Sequence, residues 1–140
     1  MSEESTTPDL EEITRKNIEA ANRGDLDGIL SLLRPDAVWD ASALRLGTYQ
    51  GRAAIRALFE QWMGSFEGYE VVGEEFCDLG NGVVLSVSLQ KGRPLGSIGF
   101  VQLRYAAISI WADGLIERAA TYTDIDDARA AAEQLAKERG

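Results

Sequence analysis

The chain has 140 residues, 45% of them hydrophobic and 26% charged, and 14 Lys+Arg against 23 Asp+Glu give a formal charge of -9. That is the make-up of one domain with a sizeable core, and it excludes a disordered, collagenous or coiled-coil chain. With no histidine and a single cysteine, Cys77, an internal disulfide, His-ligated metals and His-based catalysis are excluded as well.

The acidic balance, without a basic tract, argues against a nucleic-acid partner, because phosphates want a positive face. No apolar run approaches the roughly 20 residues of a membrane helix, so no membrane partner is expected. The polar start MSEESTTPDLEE does not read as a secretory leader. A lone cysteine suits a reducing cytoplasm. Residues 1–8 read as a flexible tail and 9–139 as one domain.

In chain order, Thr7-Pro8-Asp9 marks a helix start, with Thr7 able to cap and Pro8 suited to the first turn. Leu10, Ile13, Ala20 and Ala21 recur at helical spacing, and Gly24 ends that run. Asp25 caps a short second helix bearing Leu26, Ile29, Leu30 and Leu33, which Pro35 terminates. Residues 36–40 read as a short strand and 41–48 as a loop. Gly51–Met63 is the clearest amphipathic helix, with Ile55, Leu58, Phe59 and Trp62 on one stripe. Residues 69–79 and 82–91 are strand-like and joined by Gly80-Asn81-Gly82, a hairpin signal. A second connection spans 92–96. Residues 97–112 and 115–123 are further strands, joined at Asp113-Gly114, and Thr123 or Asp124 caps a closing helix. The order implies an α+β fold: a strongly curved, cone-shaped antiparallel sheet, bent at Gly73, Gly96 and Gly99, wrapped around about three helices, with a C-terminal helix.

Candidate site residues follow from that cone. On strand 97–111 one parity carries Ile98, Phe100, Gln102, Arg104 and Ala106; the other carries Val101, Leu103 and Tyr105. Neither suits a solvated sheet face. The expectation is that the even parity lines the cone and the odd parity is buried in a homodimer through Val101, Leu103 and Tyr105. Arg104 then reads as an anchor for an anion or carbonyl, as half of an ion pair with a strand acid such as Glu75 or Glu117, or as an arginine at the mouth. Asn17 sits where the first helix's stripe calls for an apolar residue, so it bonds either a ligand or a neighbouring backbone group. Trp39, Phe59, Trp62 and Met63 are wall candidates, as are the small Ala106 and Thr121. Tyr49 either donates its hydroxyl into the mouth or staples the loop to the third helix. Asp40 is a general base if buried with a raised pKa, and otherwise a solvated strand-end acid. No metal spacing, phosphate loop or dinucleotide fingerprint is present, so no metal or cofactor is expected.

Three segments form a recognisable set: Asn22–Leu33 (NRGDLDGILSLL), Pro35–Asp40 (PDAVWD) and Tyr49–Phe59 (YQGRAAIRALF), with Asp113–Arg118 and Tyr122-Thr-Asp near the end. Over residues 9–132 the chain resembles the nuclear transport factor two-like superfamily, in its SnoaL-like branch. The resemblance implies a cone of curved sheet and packed helices, usually dimeric, around a pocket. It does not imply one reaction, because the superfamily holds isomerases, hydrolases, cyclases and non-enzymatic binders. Aligned with ketosteroid isomerase, its tyrosine falls at Asn17, its base at Ala41 (or Asp40 with a one-residue slip) and its second acid at Ala106. Aligned with limonene epoxide hydrolase, the arginine matches Arg104 but the two acids fall at Ala106 and Thr121. The expectation is therefore a cavity of a few hundred cubic ångströms binding a small lipophilic, partly polar molecule, the alternative being an isomerase, polyketide cyclase or hydrolase with Asp40 as base and Arg104 as anchor.

Overall fold

The computed structural model describes residues 9–140; Thr7, Pro8 and the expected tail lie outside the described residues. The elements are α1 (Leu10–Asn22), α2 (Leu26–Leu30), β1 (Leu33–Asp40), β2 (Thr48–Gln50), α3 (Arg52–Met63), β3 (Phe66–Asp78), β4 (Val83–Pro94), β5 (Val101–Ala112), β6 (Leu115–Tyr122) and α4 (Ile125–Arg139). Helix starts follow their caps. The Asp9, Asp25 and Asp124 side chains each accept from the backbone N–H three residues on, at Glu12, Gly28 and Asp127.

Six strands form one curved, unclosed sheet in the order β2-β1-β6-β5-β4-β3. The sheet is mixed: β1 runs parallel to β6 and every other pairing is antiparallel. The parallel pairing arises because the chain crosses from β2 through α3 to the far edge and returns through a meander. Pro35 lies inside β1 rather than ending α2, and the expected loop 41–48 contains a short 3-10 turn (Ser42–Leu44) and the first residue of β2. Curvature comes from bulges in β3. One register shift falls between Gly73 and Glu75, where a side chain on Gly73 would strike the Phe76 ring. Gly96 and Gly99 lie in the β4–β5 connection instead.

Two cores flank the sheet. On the concave side Leu30, Leu33, Ala37, Ile55, Val84, Trp111, Ile116 and Ala119 pack beneath α1–α3. On the convex side Ala128, Ala132 and Ala136 of α4 sit on Val83, Leu85, Val87, Ala106 and Ile108. Their i, i+4, i+8 spacing makes one smooth helical stripe that approaches the strands closely. α4 is fixed along its length. Arg129 forks onto Glu75 (2.7 and 3.0 Å), and the Asn81 amide donates to the Ala136 carbonyl at 2.7 Å. The long outer edge of β3 is covered by α1, whose Asn22 accepts from the Val71 N–H (3.1 Å) and whose Glu11 accepts from the Asp78 N–H (2.8 Å).

The close fit of α4 is testable. Ala132→Leu inserts three carbons where Ala132 has no exposure, and denaturant unfolding is expected to show a loss of about 1–3 kcal/mol. An unchanged midpoint would mean that α4 stands further off the strands.

Candidate functional site

The helical stripes and the inward parity of the strands leave a hollow of about 130 Å³ between them, partly open to solvent. This is smaller than the few hundred cubic ångströms expected, because six large aromatic rings project into it. From α1 come Thr14, Asn17, Ile18 and Ala21, at the i, i+3, i+4, i+7 spacing of one helix face. From α3 come Leu58, Phe59, Trp62 and Met63. The sheet contributes Trp39 and Ala41 (at the end of β1), Tyr69, Ser86, Tyr105, Ala107, Ser109, Trp111, Ala119 and Thr121. Leu44 and Leu46, from the β1–β2 connection, close one side.

Of the residues singled out in the sequence, Asn17, Trp39, Phe59, Trp62, Met63 and Thr121 line this hollow, and five others do not. The strand parity was inverted. The ladder pairs Ser88 with Tyr105 and Ser86 with Ala107 on the concave face, and Val87 with Ala106 and Leu89 with Arg104 on the convex face. Ala106 is therefore buried under α4, and Gln102 and Arg104 stand outside. Arg104 is bound to neither Glu75 nor Glu117; it forks onto Glu74 at 2.7 and 3.0 Å, which holds the Glu74 carboxyl below its usual range. Tyr105, expected in a dimer interface, faces the hollow, and α4 of the same chain covers the Ala106 and Ile108 part of the convex face. Tyr49 lies beside the hollow and staples the β1–β2 connection, its hydroxyl donating to the Leu46 carbonyl at 2.6 Å.

Asp40 is corrected as a base. Its carboxylate accepts from the Ser42 hydroxyl (2.6 Å), the Ser42 N–H (3.0 Å) and the Thr48 hydroxyl (3.3 Å), with Arg118 at 3.9 Å. The Ser42 hydroxyl and then its N–H lower the Asp40 pKa most, the opposite of what a base at neutral pH needs. What Asp40 does is pin the segment that carries Leu44 and Leu46. Asp40 and Arg104 do not meet in this structure: neither lines the hollow, Asp40 faces Ser42 and Thr48, and Arg104 faces Glu74.

Among the described residues no lining side chain carries a formal charge. The polar groups are neutral, and several are engaged within the protein. The Trp62 indole N–H and the Tyr69 hydroxyl both donate to the Gln90 side-chain oxygen (2.7 and 3.3 Å). The Trp111 indole donates to the Ser109 hydroxyl at 2.9 Å, and the Thr14 hydroxyl donates to the Leu10 carbonyl at 2.7 Å. Burial pushes the Tyr105 phenol up to about 12, and the nearby Ser88 hydroxyl offsets this only in part. Burial raises Tyr69 as well. Both phenols stay protonated across the physiological range. The signal for Tyr69, Ser86 and Tyr105 was present in the sequence as the polar parity of β4, Ser86, Ser88 and Gln90, which reads as solvent-facing until α4 is seen on the other side. Among the described residues no cluster of three His, Cys, Asp or Glu could hold a metal, and no helix is long and apolar enough to cross a membrane.

An unclosed curved sheet cupping three helices over an internal hollow, with a further helix behind, is the nuclear transport factor two-like architecture. A family profile described as SnoaL-like domain matches residues 14–119, and the chain belongs to that family. A nuclear transport factor two-like protein from Burkholderia thailandensis superposes with a TM-score of 0.75 at 22% identity, over 90% of this chain and 98% of that one. A hypothetical protein with a ketosteroid isomerase-like fold from Catenulispora acidiphila, in complex with trimethylamine, gives 0.72 at 17% identity, over 85% and 90%. A putative SnoaL-like polyketide cyclase from Shewanella denitrificans gives 0.69 at 13% identity, over 92% and 99%. No curated protein matches the chain.

Two measurements check the site. In an alkaline absorbance titration, Tyr105 is expected to ionise near 12 rather than near 10. Because the folded state holds this proton more tightly, that part of the stability is present below about pH 10 and declines as the pH rises from about 10 to 12. Asp40→Ala is expected to speed amide exchange across residues 42–48 by about tenfold or more, since hydrogen bonds to a charged acceptor are removed. Exchange confined to its wild-type rate would show that the segment does not depend on Asp40.

Proposed function

We propose that the chain binds a small, uncharged, largely apolar molecule in this hollow. The observation that carries the reading is that no described residue lining the hollow is charged. A carboxylate or ammonium entering it would shed its water with no counter-charge in reach. A neutral ring would exchange water for Trp39, Phe59, Trp62 and Trp111. Its volume, about 130 Å³, approaches that of engineered apolar cavities that take up benzene, about 150 Å³. The related fold in complex with trimethylamine supports a small-molecule role for the same architecture.

Three tryptophans line the site, so occupancy is readable as a change in their fluorescence. Toluene is expected to bind at least tenfold more tightly than benzoate. Ala107→Phe, which fills the hollow from β5, is expected to abolish toluene binding while the protein stays folded by circular dichroism. Equal binding of toluene and benzoate, or full binding by the folded Ala107→Phe protein, would refute the reading.

The expected homodimer is proposed on a shifted surface that keeps Val101 and leaves out Leu103 and Tyr105. Leu95, Ile98, Phe100 and Val101, around the β4–β5 connection, are 61, 97, 72 and 45% exposed, and a patch of that kind favours cover by a second copy. Sedimentation is expected to show a dimer that Ile98→Lys with Phe100→Ser converts to a monomer; a wild-type monomer at high concentration would refute it. A reducing cytoplasm is the setting we propose, on the strength of the single Cys77.

A further inference from the structure

Several of the polar groups around the hollow are engaged within the protein, and among the described lining residues only Asn17 has a fully buried side-chain polar atom without a partner. Trp62 and Tyr69 meet Gln90, Trp111 meets Ser109, Thr14 meets its own helix, and the Thr121 hydroxyl lies 3.4 Å from the Asp40 carbonyl. Asn17 is different. It stands on the lining face of α1 between Thr14 and Ala21, yet its side-chain oxygen is buried with no donor in reach. Nothing in the packing of α1 requires an amide there, since Ile18 and Ala21 fill neighbouring positions of the same face with carbon. A buried acceptor without a donor is unfavourable in the empty protein, and is relieved by any occupant that brings one.

Resting on the reading of the hollow as a ligand site, we infer that its natural occupant is an uncharged ring compound bearing one hydrogen-bond donor, a ring N–H or a hydroxyl, and that Asn17 accepts from it. The terminal torsion of an Asn is broad and soft, so a modest turn aims the oxygen at a molecule lying against α1. The aromatic walls select a flat apolar body. The uncharged lining rejects the ionised forms of the same compounds, and Asn17 selects among neutral rings of equal shape. Asn17 thereby determines specificity and does no chemistry.

Indole and benzofuran test this directly. They share size and shape, but only indole has a donor. Isothermal titration on the wild-type chain is expected to show indole binding about tenfold more tightly. In Asn17→Leu, or in Asn17→Ala should the larger residue perturb α1, the preference is expected to collapse to about twofold or less while benzofuran binding is kept. Equal affinities in the wild type would overturn the role of Asn17 and leave the hollow as a ligand site. A preference that persists in both folded variants would overturn it too. If neither compound binds, this inference and the reading beneath it fall together.

Discussion

The arrangement of the whole molecule depends on α4 lying on the convex face of the sheet. β4 alternates Val83, Leu85 and Val87 with Val84, Ser86 and Ser88, and all six are buried. A strand with one apolar and one partly polar parity normally turns the polar side to water. Here the alanine stripe of α4 claims the apolar parity, so the serines are turned inward under α1 and α3. That single docking decides which side chains of β4 and β5 see the hollow, and therefore its chemistry.

The same docking sorts charge from neutrality. Arg104 with Glu74, Lys91 with Glu70 and Arg129 with Glu75 all sit on the convex side, and Asp40 is drawn aside into the β1–β2 connection. What remains inside are indoles, phenols, hydroxyls and amides. A site built that way discriminates by shape and hydrogen-bond sense rather than by charge, and its phenols, raised by burial, serve as donors rather than bases. Exposed pairs such as Arg104–Glu74 contribute modestly to stability, because water screens them; their structural value is in closing the part of the sheet that α4 does not reach.

Helix caps, the third helix and the two glycine-bearing hairpin turns were legible because each rests on local chemistry: an aspartate three residues before an N–H, or a glycine at positive φ. Gly80, Gly82 and Gly114 all adopt that conformation. The helical lining residues were legible for the same reason, since i, i+3, i+4 spacing is a local property. The facing of β5 was not. Its two parities are nearly equal in apolarity, and the guanidinium of Arg104 drew attention to the wrong one. Which parity faces in is decided by a helix some 20 residues further along the chain, and no local pattern reports that. Asn17 was visible as an anomaly, but only its geometry separates an engaged amide from an orphaned one. β2 is too short, at three residues, to announce itself in sequence.

The side chains of Asn22 and Glu11, laid along β3, reach beyond the packing of one helix. β3 is the longest strand and ends the sheet, so its bare amides would invite a stranger's strand to add on and continue the ladder. By occupying two of those donors from the side, α1 makes the rim a poor template for growth. At the opposite rim β2 offers only three residues. The sheet is thus bounded on both flanks by its own sequence, and a hollow at its centre does not leave its borders bare.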